Sequence, residues 1–243
     1  MRVARFVTAL VLTAHGSRDP RSSANARAVA ARVARMRPDL DVRLAFCELN
    51  SPGLVEVLNG CSGDAVVTPL LLANGYHAGI DIPAEIASCR ESSRVRQANV
   101  LGTDDRLVSV LRQRVTALGV SRFDDSLGVL VVAIGSSNAA VNSHTAQVGP
   151  KLAEGTRWAA VATAFATHPP AALAEAVSRL RRRGAHRVVV APWFLAHGRL
   201  PDRVRRFAAD TGLAMAAPLG AHRLVAETVL DRFAQATAGR VAA

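Results

Sequence analysis

Apolar, strand-like runs alternate with Ala/Arg-rich helical runs along this chain, and the whole series occurs twice. Ala14-His15-Gly16-Ser17 is answered by Ala133-Ile134-Gly135-Ser136, and at the same offset Ala45-Phe46 is answered by Ala164-Phe165. Pro69-Leu70-Leu71-Leu72-Ala73-Asn74-Gly75 has its counterpart in Pro192-Trp193-Phe194-Leu195-Ala196-His197-Gly198, at a slightly larger offset. Such alternation is the pattern of βαβ units with parallel strands. The expected fold class is therefore α/β. It comprises two similar lobes, each a small parallel sheet flanked by helices, arising from an internal duplication. The expected division is a first lobe over 1–120, a polar hinge over 121–126 and a degenerate second lobe over 127–243. Two such halves are expected to form a ligand cleft.

The spacing predicts strands over 6–14, 41–47 and 65–73 in the first half. In the second half it predicts them over 128–134, 159–166, 187–195 and, briefly, 213–216. Asp19 can cap a first helix with Pro20 at its first position. Ala26, Val29, Ala30, Val33 and Met36 then recur at helical spacing, and Pro38 ends the run. Ser51-Pro52, Pro83 and Thr103-Asp104 open further helices, the last reaching Gly119. Second-half helices are expected over 138–152, 169–184, 201–210 and 222–236.

Three acid–base side chains sit just past successive strands of the first half: His15, Glu48 and His77. If those strands are parallel neighbours, all three reach the carboxyl edge of one sheet, where open α/β folds place ligands. Two imidazoles and a carboxylate there suit a divalent transition metal or proton transfer. Each has a plain alternative on its own: a turn-capping histidine, a solvated strand end, a surface-loop histidine. Gly16 permits a tight turn, and the glycines around His77 make 74–81 read as a mobile or closely packed loop. Ser17 lacks a Gly-x-Ser-x-Gly elbow, and the stretch 75–79 lacks the Gly-Lys-Ser/Thr end of a phosphate-binding loop.

Bulk composition narrows the setting. No apolar run reaches the roughly 18 residues of a membrane span, so no transmembrane helix is expected. Arg2 and Arg5 before an apolar stretch imitate a signal peptide. No cleavage region follows, and a buried first strand is expected instead. Three cysteines without a Cys-x-x-Cys pair fit a reducing cytoplasm. The net charge of +11 points to an anionic partner: nucleic acid, phosphate or a polycarboxylate. Only 4% aromatic residues argue against nucleic acid, and no nucleic-acid partner is expected.

Thr13-Ala14-His15-Gly16-Ser17-Arg18, the run 46–49, and 69–83 with its Gly-x-His and Asp-Ile-Pro resemble the sirohydrochlorin chelatases. These are class II chelatases that insert cobalt, ferrous iron or, in some members, nickel into a tetrapyrrole without a permanent cofactor. The resemblance implies His15 and His77 as metal-binding histidines with Glu48 as their acidic partner. It also implies a divalent metal (Co²⁺, Fe²⁺ or Ni²⁺) and the polycarboxylate sirohydrochlorin as substrates. Arg18 and Arg21 are then the first candidates to pair with its carboxylates, with Gly75, Gly135 and Ser136 as further contacts. The second half departs, with Ile134, Thr167 and Leu200 facing His15, Glu48 and His77 in the alignment. His168 and His197 are the histidines nearby. The resulting expectation is a cytoplasmic enzyme, monomer or homodimer. A metal-delivery protein of the same fold, a nucleic-acid binder or a phosphate-ligand enzyme using Gly135-Ser136-Ser137 stay open as alternatives.

Overall fold

The computed structural model describes residues 8–238, apart from the side chains of His77 and Pro170. Part of the first expected strand, 6–7, and the Arg2/Arg5 stretch lie outside the described residues.

The chain forms two compact units. The first holds Met1–Gly102 together with Ala221–Ala243, and the second holds Thr103–Gly220. In the first unit β1 (Ala9–Ala14), β2 (Val42–Phe46), β3 (Ala65–Pro69) and β4 (Val95–Gln97) form one sheet in the order β2-β1-β3-β4. All its pairings are parallel, with Ala14 opposite Phe46 and Thr13 opposite Pro69. Leu10, Val11 and Leu12 are wholly buried, as a central parallel strand covered on both faces requires. α1 (Pro20–Met36) is capped by Asp19, whose carboxylate accepts from the Arg21 amide at 3.0 Å. Its Ala26, Val29 and Val33 are buried while Arg27 and Arg35 face solvent, as their spacing predicts. α2 (Leu54–Asn59) and α3 (Ile82–Ala87) cover the other side of the core, with Leu54, Leu58 and Ile82 packed against Val11, Ala45 and Val67.

The second unit repeats this plan. β5 (Leu127–Ala133), β6 (Ala160–Phe165), β7 (Arg187–Trp193) and β8 (Ala214–Met215) lie in the order β6-β5-β7-β8, again all parallel. Ala133 faces Phe165 and Val132 faces Pro192, which superposes the register of Ala14 with Phe46 and of Thr13 with Pro69. The expected helix over 138–152 is two: α5 (Ala139–Ala146) and α6 (Val148–Ala153), meeting at Gln147. α7 (Pro170–Arg182) and α8 (Arg199–Asp210) complete the repeat.

The packing units do not follow the repeat boundary expected at 121–126. α4 (Asp105–Thr116) belongs to the second unit, against α6 and β7, and α9 (Arg223–Ala238) belongs to the first, against α1 and β3. Each repeat's last helix thus completes the unit built on the other repeat's sheet. The physical cause is burial. Leu107, Val110, Leu111 and Val115 of α4 and Val225, Val229 and Phe233 of α9 lose nearly all contact with water in those places. Polar clamps fix the arrangement. The Arg232 guanidinium donates to the carbonyls of Val100 (3.1 Å) and Leu101 (3.0 Å) in the first unit. In the second, Arg114 donates to the Leu219 carbonyl at 3.1 Å, and Lys151, the sole lysine, meets Asp105 at 2.6 Å.

Candidate functional site

The parallel ladder of β1 and β2 continues beyond both strands. The Cys47 amide donates to the Ala14 carbonyl at 3.0 Å and the Glu48 amide to the His15 carbonyl at 3.0 Å. Residues 15 and 48 are therefore held side by side where the two backbones leave the sheet. His15 Nε2 lies 3.2 Å from Glu48 Oε1, with the side chains 38% and 52% exposed. An imidazole paired with a carboxylate and open to solvent can accept an ion or pass a proton.

Gly16 makes this closeness possible. Its φ is +99°, and a Cβ there would lie 1.8 Å from the Glu48 carbonyl oxygen. Gly135 is the second-unit equivalent at φ +94°, but its nearest obstacle is a side-chain atom, Thr167 Oγ1 at 2.3 Å. Gly16→Ala is expected to destabilise the protein by about 1–3 kcal/mol from the backbone conformation alone. The collision with a main-chain oxygen adds to that and pushes Glu48 away from His15. A thermal melt paired with a Co²⁺ titration checks both effects. A variant with wild-type melting and metal affinity would refute the role given to the glycine.

His77 leaves the neighbouring strand at the same edge. β3 pairs with β1, and the Leu70 amide still donates to the Thr13 carbonyl at 2.8 Å. After a short loop the chain enters a π-helical turn, His77–Asp81, which leads straight into α3. The loop expected around His77 is thus corrected to a helical turn. Ala78 and Ile82 are buried and anchor it, the Gly79 amide donates to the Gly75 carbonyl at 3.1 Å, and Gln97 Nε2 donates to the Ala78 carbonyl at 2.7 Å. π turns are rare and concentrate at functional sites. Among the described residues no three His, Cys, Asp or Glu side chains are grouped closely enough to hold a metal. The described centre is the His15–Glu48 pair, with the His77 backbone at the exit of the next strand.

Cys47 stands beside Glu48. Burial first, then the negative charges of Glu85, Asp81 and Glu48, push its thiol up to about 12. Sequence reasoning did not single out Glu85, whose only signal is its i,i+4 spacing from Asp81. Burial, followed by the charge of Asp81, raises the Glu85 carboxyl above its ordinary value. Thiolate is the reactive form of cysteine. Cys47 is therefore expected to resist iodoacetamide at pH 8 in the native protein and to react once the chain is unfolded. Mass spectrometry of the labelled peptides reads this out, and rapid native labelling of Cys47 would contradict it.

The remaining candidates fall into place individually. Arg18 is exposed beside the His15 turn, whereas Arg21 is bound through two guanidinium nitrogens to the Asp19 carboxylate. Gly75 closes the first turn toward His77. Ser136 uses its amide on Asn142 Oδ1 (2.8 Å) and its hydroxyl to accept from the Asn138 amide (3.1 Å), within its own turn. At the equivalent edge of the second unit Ile134 and Thr167 are exposed and the Thr167 amide donates to the Ile134 carbonyl, so the frame persists without ligands. His168 packs its ring near Phe165, with centroids 5.5 Å apart, and Arg203 donates to its carbonyl at 2.6 Å. Nδ1 of His197 sits 2.8 Å from the Arg205 guanidinium. The strand registers make Pro69 and Pro192 equivalent, through Thr13 and Val132 respectively, and end before Asn74 and His77 in the first unit and before His197 and Leu200 in the second.

Two parallel α/β units of one topology, with an imidazole–carboxylate pair at one carboxyl edge, define a duplicated α/β fold with acid–base chemistry at a sheet edge. The CbiX family model matches residues 9–118 and again 128–236, and the chain belongs to that family. It is 29% identical over 212 residues to a sirohydrochlorin ferrochelatase of Priestia megaterium, covering 82% of this chain and 77% of the relative. A sirohydrochlorin cobaltochelatase of the same organism is 26% identical over 219 residues, covering 83% of this chain and 70% of the relative. The solved structure of SirB from Bacillus subtilis with Fe³⁺ has the same fold, with a TM-score of 0.80 at 23% identity over 97% of this chain and 98% of that one. The two family matches each end in a helix that packs in the other unit, α4 in the first match and α9 in the second.

Proposed function

We propose that this chain is a sirohydrochlorin chelatase that inserts a divalent metal, Co²⁺ or Fe²⁺, into the tetrapyrrole for sirohaem or cobalamin synthesis. The observation that carries the reading is the His15–Glu48 pair, 3.2 Å apart and open to solvent at a carboxyl sheet edge, in a member of the CbiX family. Metal and macrocycle are both substrates, and no resident cofactor enters the reaction.

Insertion replaces two pyrrolic protons by one M²⁺, so the site has to bring the ion, give it up and take protons away. Neutral imidazole binds Fe²⁺ and Co²⁺ well without the grip of a thiolate cluster. His15, with His77 on the neighbouring strand's exit, is assigned to the ion. Glu48, whose Oε1 lies 3.2 Å from His15 Nε2, is assigned to accept a proton from the macrocycle. Leu49, beside Glu48, and Tyr76 and Ile80, beside and within the helical turn of His77, are large exposed hydrophobic side chains. An apolar rim around metal ligands suits the face of a flat conjugated ring, and Arg18 suits its peripheral carboxylates. The free thiols of Cys47, Cys61 and Cys89 fit a reducing cytoplasm. Among the described residues no helix is long and apolar enough to cross a membrane.

The test is anaerobic incubation of the protein with sirohydrochlorin and each metal in turn, following the visible spectrum of the macrocycle. Insertion faster than the uncatalysed rate supports an enzyme. Tight metal binding with no acceleration would instead identify a delivery protein of the same fold.

A further inference from the structure

The turn that carries His15 and the turn that carries Glu48 are joined by one side chain outside the ligand set. Oδ1 of Asn50 accepts a hydrogen bond from the Ser17 amide at 2.8 Å, across 33 positions of sequence. The Asn50 amide in turn donates to the Glu48 carbonyl at 2.7 Å, closing a three-residue turn with Leu49 at its apex. Leu49 has φ +61°, and among the described residues it is the one non-glycine with positive φ. It is also exposed, so burial of its side chain does not hold it there. A backbone in that region persists when its surroundings over-determine it. Here they do so through Asn50, which is bonded forward to the His15 turn and back to Glu48.

The second unit provides an internal control. Ser136, the counterpart of Ser17, has the same bond from its amide to an asparagine oxygen, also at 2.8 Å. The donor's partner there is Asn142, six residues along in α5, which also donates back to the Ser136 carbonyl at 2.7 Å. That asparagine stabilises its own turn and ties nothing to the loop after β6. Backbone bonds join the two strand exits in both units, but the asparagine side-chain tie between them is found in the unit that has the His–Glu pair. In the unit with Ile134 and Thr167 the same bond is local.

We infer that Asn50 is the positioning residue of the metal site: it clamps the turn carrying His15 to the turn carrying Glu48 and so sets their spacing. The inference rests on the chelatase reading and adds to it a residue that touches neither ion nor macrocycle. Groups that orient metal ligands at second hand cost about 10–100-fold in metal affinity or activity when removed. Asn50→Ala is accordingly expected to weaken binding of Co²⁺ alone by about 10–100-fold, read from its visible absorption in an anaerobic titration of the full chain. Asn50→Asp keeps an oxygen for the Ser17 amide and is expected to bind Co²⁺ close to wild type. Asn142→Ala removes the equivalent bond of the second unit and is expected to leave Co²⁺ affinity unchanged. Asn50→Gln, which retains the amide but displaces its oxygen by one methylene, should behave like Asn50→Ala and serves if the alanine variant does not fold. Wild-type affinity in folded Asn50→Ala or Asn50→Gln would overturn the inference while leaving the chelatase reading intact. Equal losses in Asn50→Ala and Asn142→Ala would also overturn it, as a general effect on stability. A wild-type protein that neither binds Co²⁺ nor inserts it would bring down the chelatase reading itself, and the inference with it.

Discussion

His15→Ala and His77→Ala are each expected to abolish most metal insertion while the protein stays folded. Both residues follow strands of the first sheet at one edge, and His15 is not part of its apolar core. Removing one imidazole from so small a ligand set leaves the ion badly held. The loss should exceed the 10–100-fold typical of second-hand ligand contacts. Glu48→Gln keeps the shape of the side chain but neither its charge nor its basicity, so about 10²–10⁴-fold of the rate should go with it. His168→Ala and His197→Ala are expected to retain most activity. Nδ1 of His197 already faces the Arg205 guanidinium at 2.8 Å, a cation that opposes a second one nearby. Anaerobic initial rates on all five variants, with thermal melts alongside, decide the matter. If His197→Ala proves as damaging as His77→Ala in a folded protein, metal handling does not belong to the first unit alone.

Deleting α9 is expected to unfold the first unit, although the whole sheet and both ends of the metal pair lie more than a hundred residues upstream. Val225, Val229 and Phe233 are almost fully buried in that unit. Burying such side chains contributes about 1.5–3 kcal/mol each, so these three approach the 5–15 kcal/mol by which a domain is usually stable. Arg232 also leaves the Val100 and Leu101 carbonyls without their donor, and the Ala236 carbonyl no longer receives Arg96 (3.0 Å). A chain ending at Gly220 should lose Co²⁺ binding and show amide-exchange protection in β5–β7 but little in β1–β3. Full protection of β1–β3 without α9 would contradict the exchanged packing.

The sheets were legible because their strands are almost wholly apolar and recur in order. Two strand exits of the first half were legible too, since His15 and Glu48 come within two residues of the ends of β1 and β2. His15 and Glu48 come together because parallel strands keep equivalent positions abreast. Other features left no such trace. α4 and α9 are amphipathic, and periodicity says that a face is buried without saying against which sheet. β4, Val95-Arg96-Gln97, is too short and polar to stand out. Gly75 and Gly79 read as loop formers, yet burial of Ala78 and Ile82 draws the segment into a helical turn. Asn50 shows nothing in sequence of its reach to Ser17, because that contact depends on two loops meeting in space.

The exchange of terminal helices sets the order in which the protein can be made. Chains usually fold domain by domain from the amino end as they leave the ribosome. Here the second unit, Thr103–Gly220, is one uninterrupted stretch, and it is complete in the nascent chain before α9 has been synthesised. The first unit starts earlier but waits for residues 223–238 to cover α1 and β3. The sheet that bears His15 and Glu48 is thus translated first and closed last, and the faces of α1 and β3 that α9 covers stay open for the rest of synthesis.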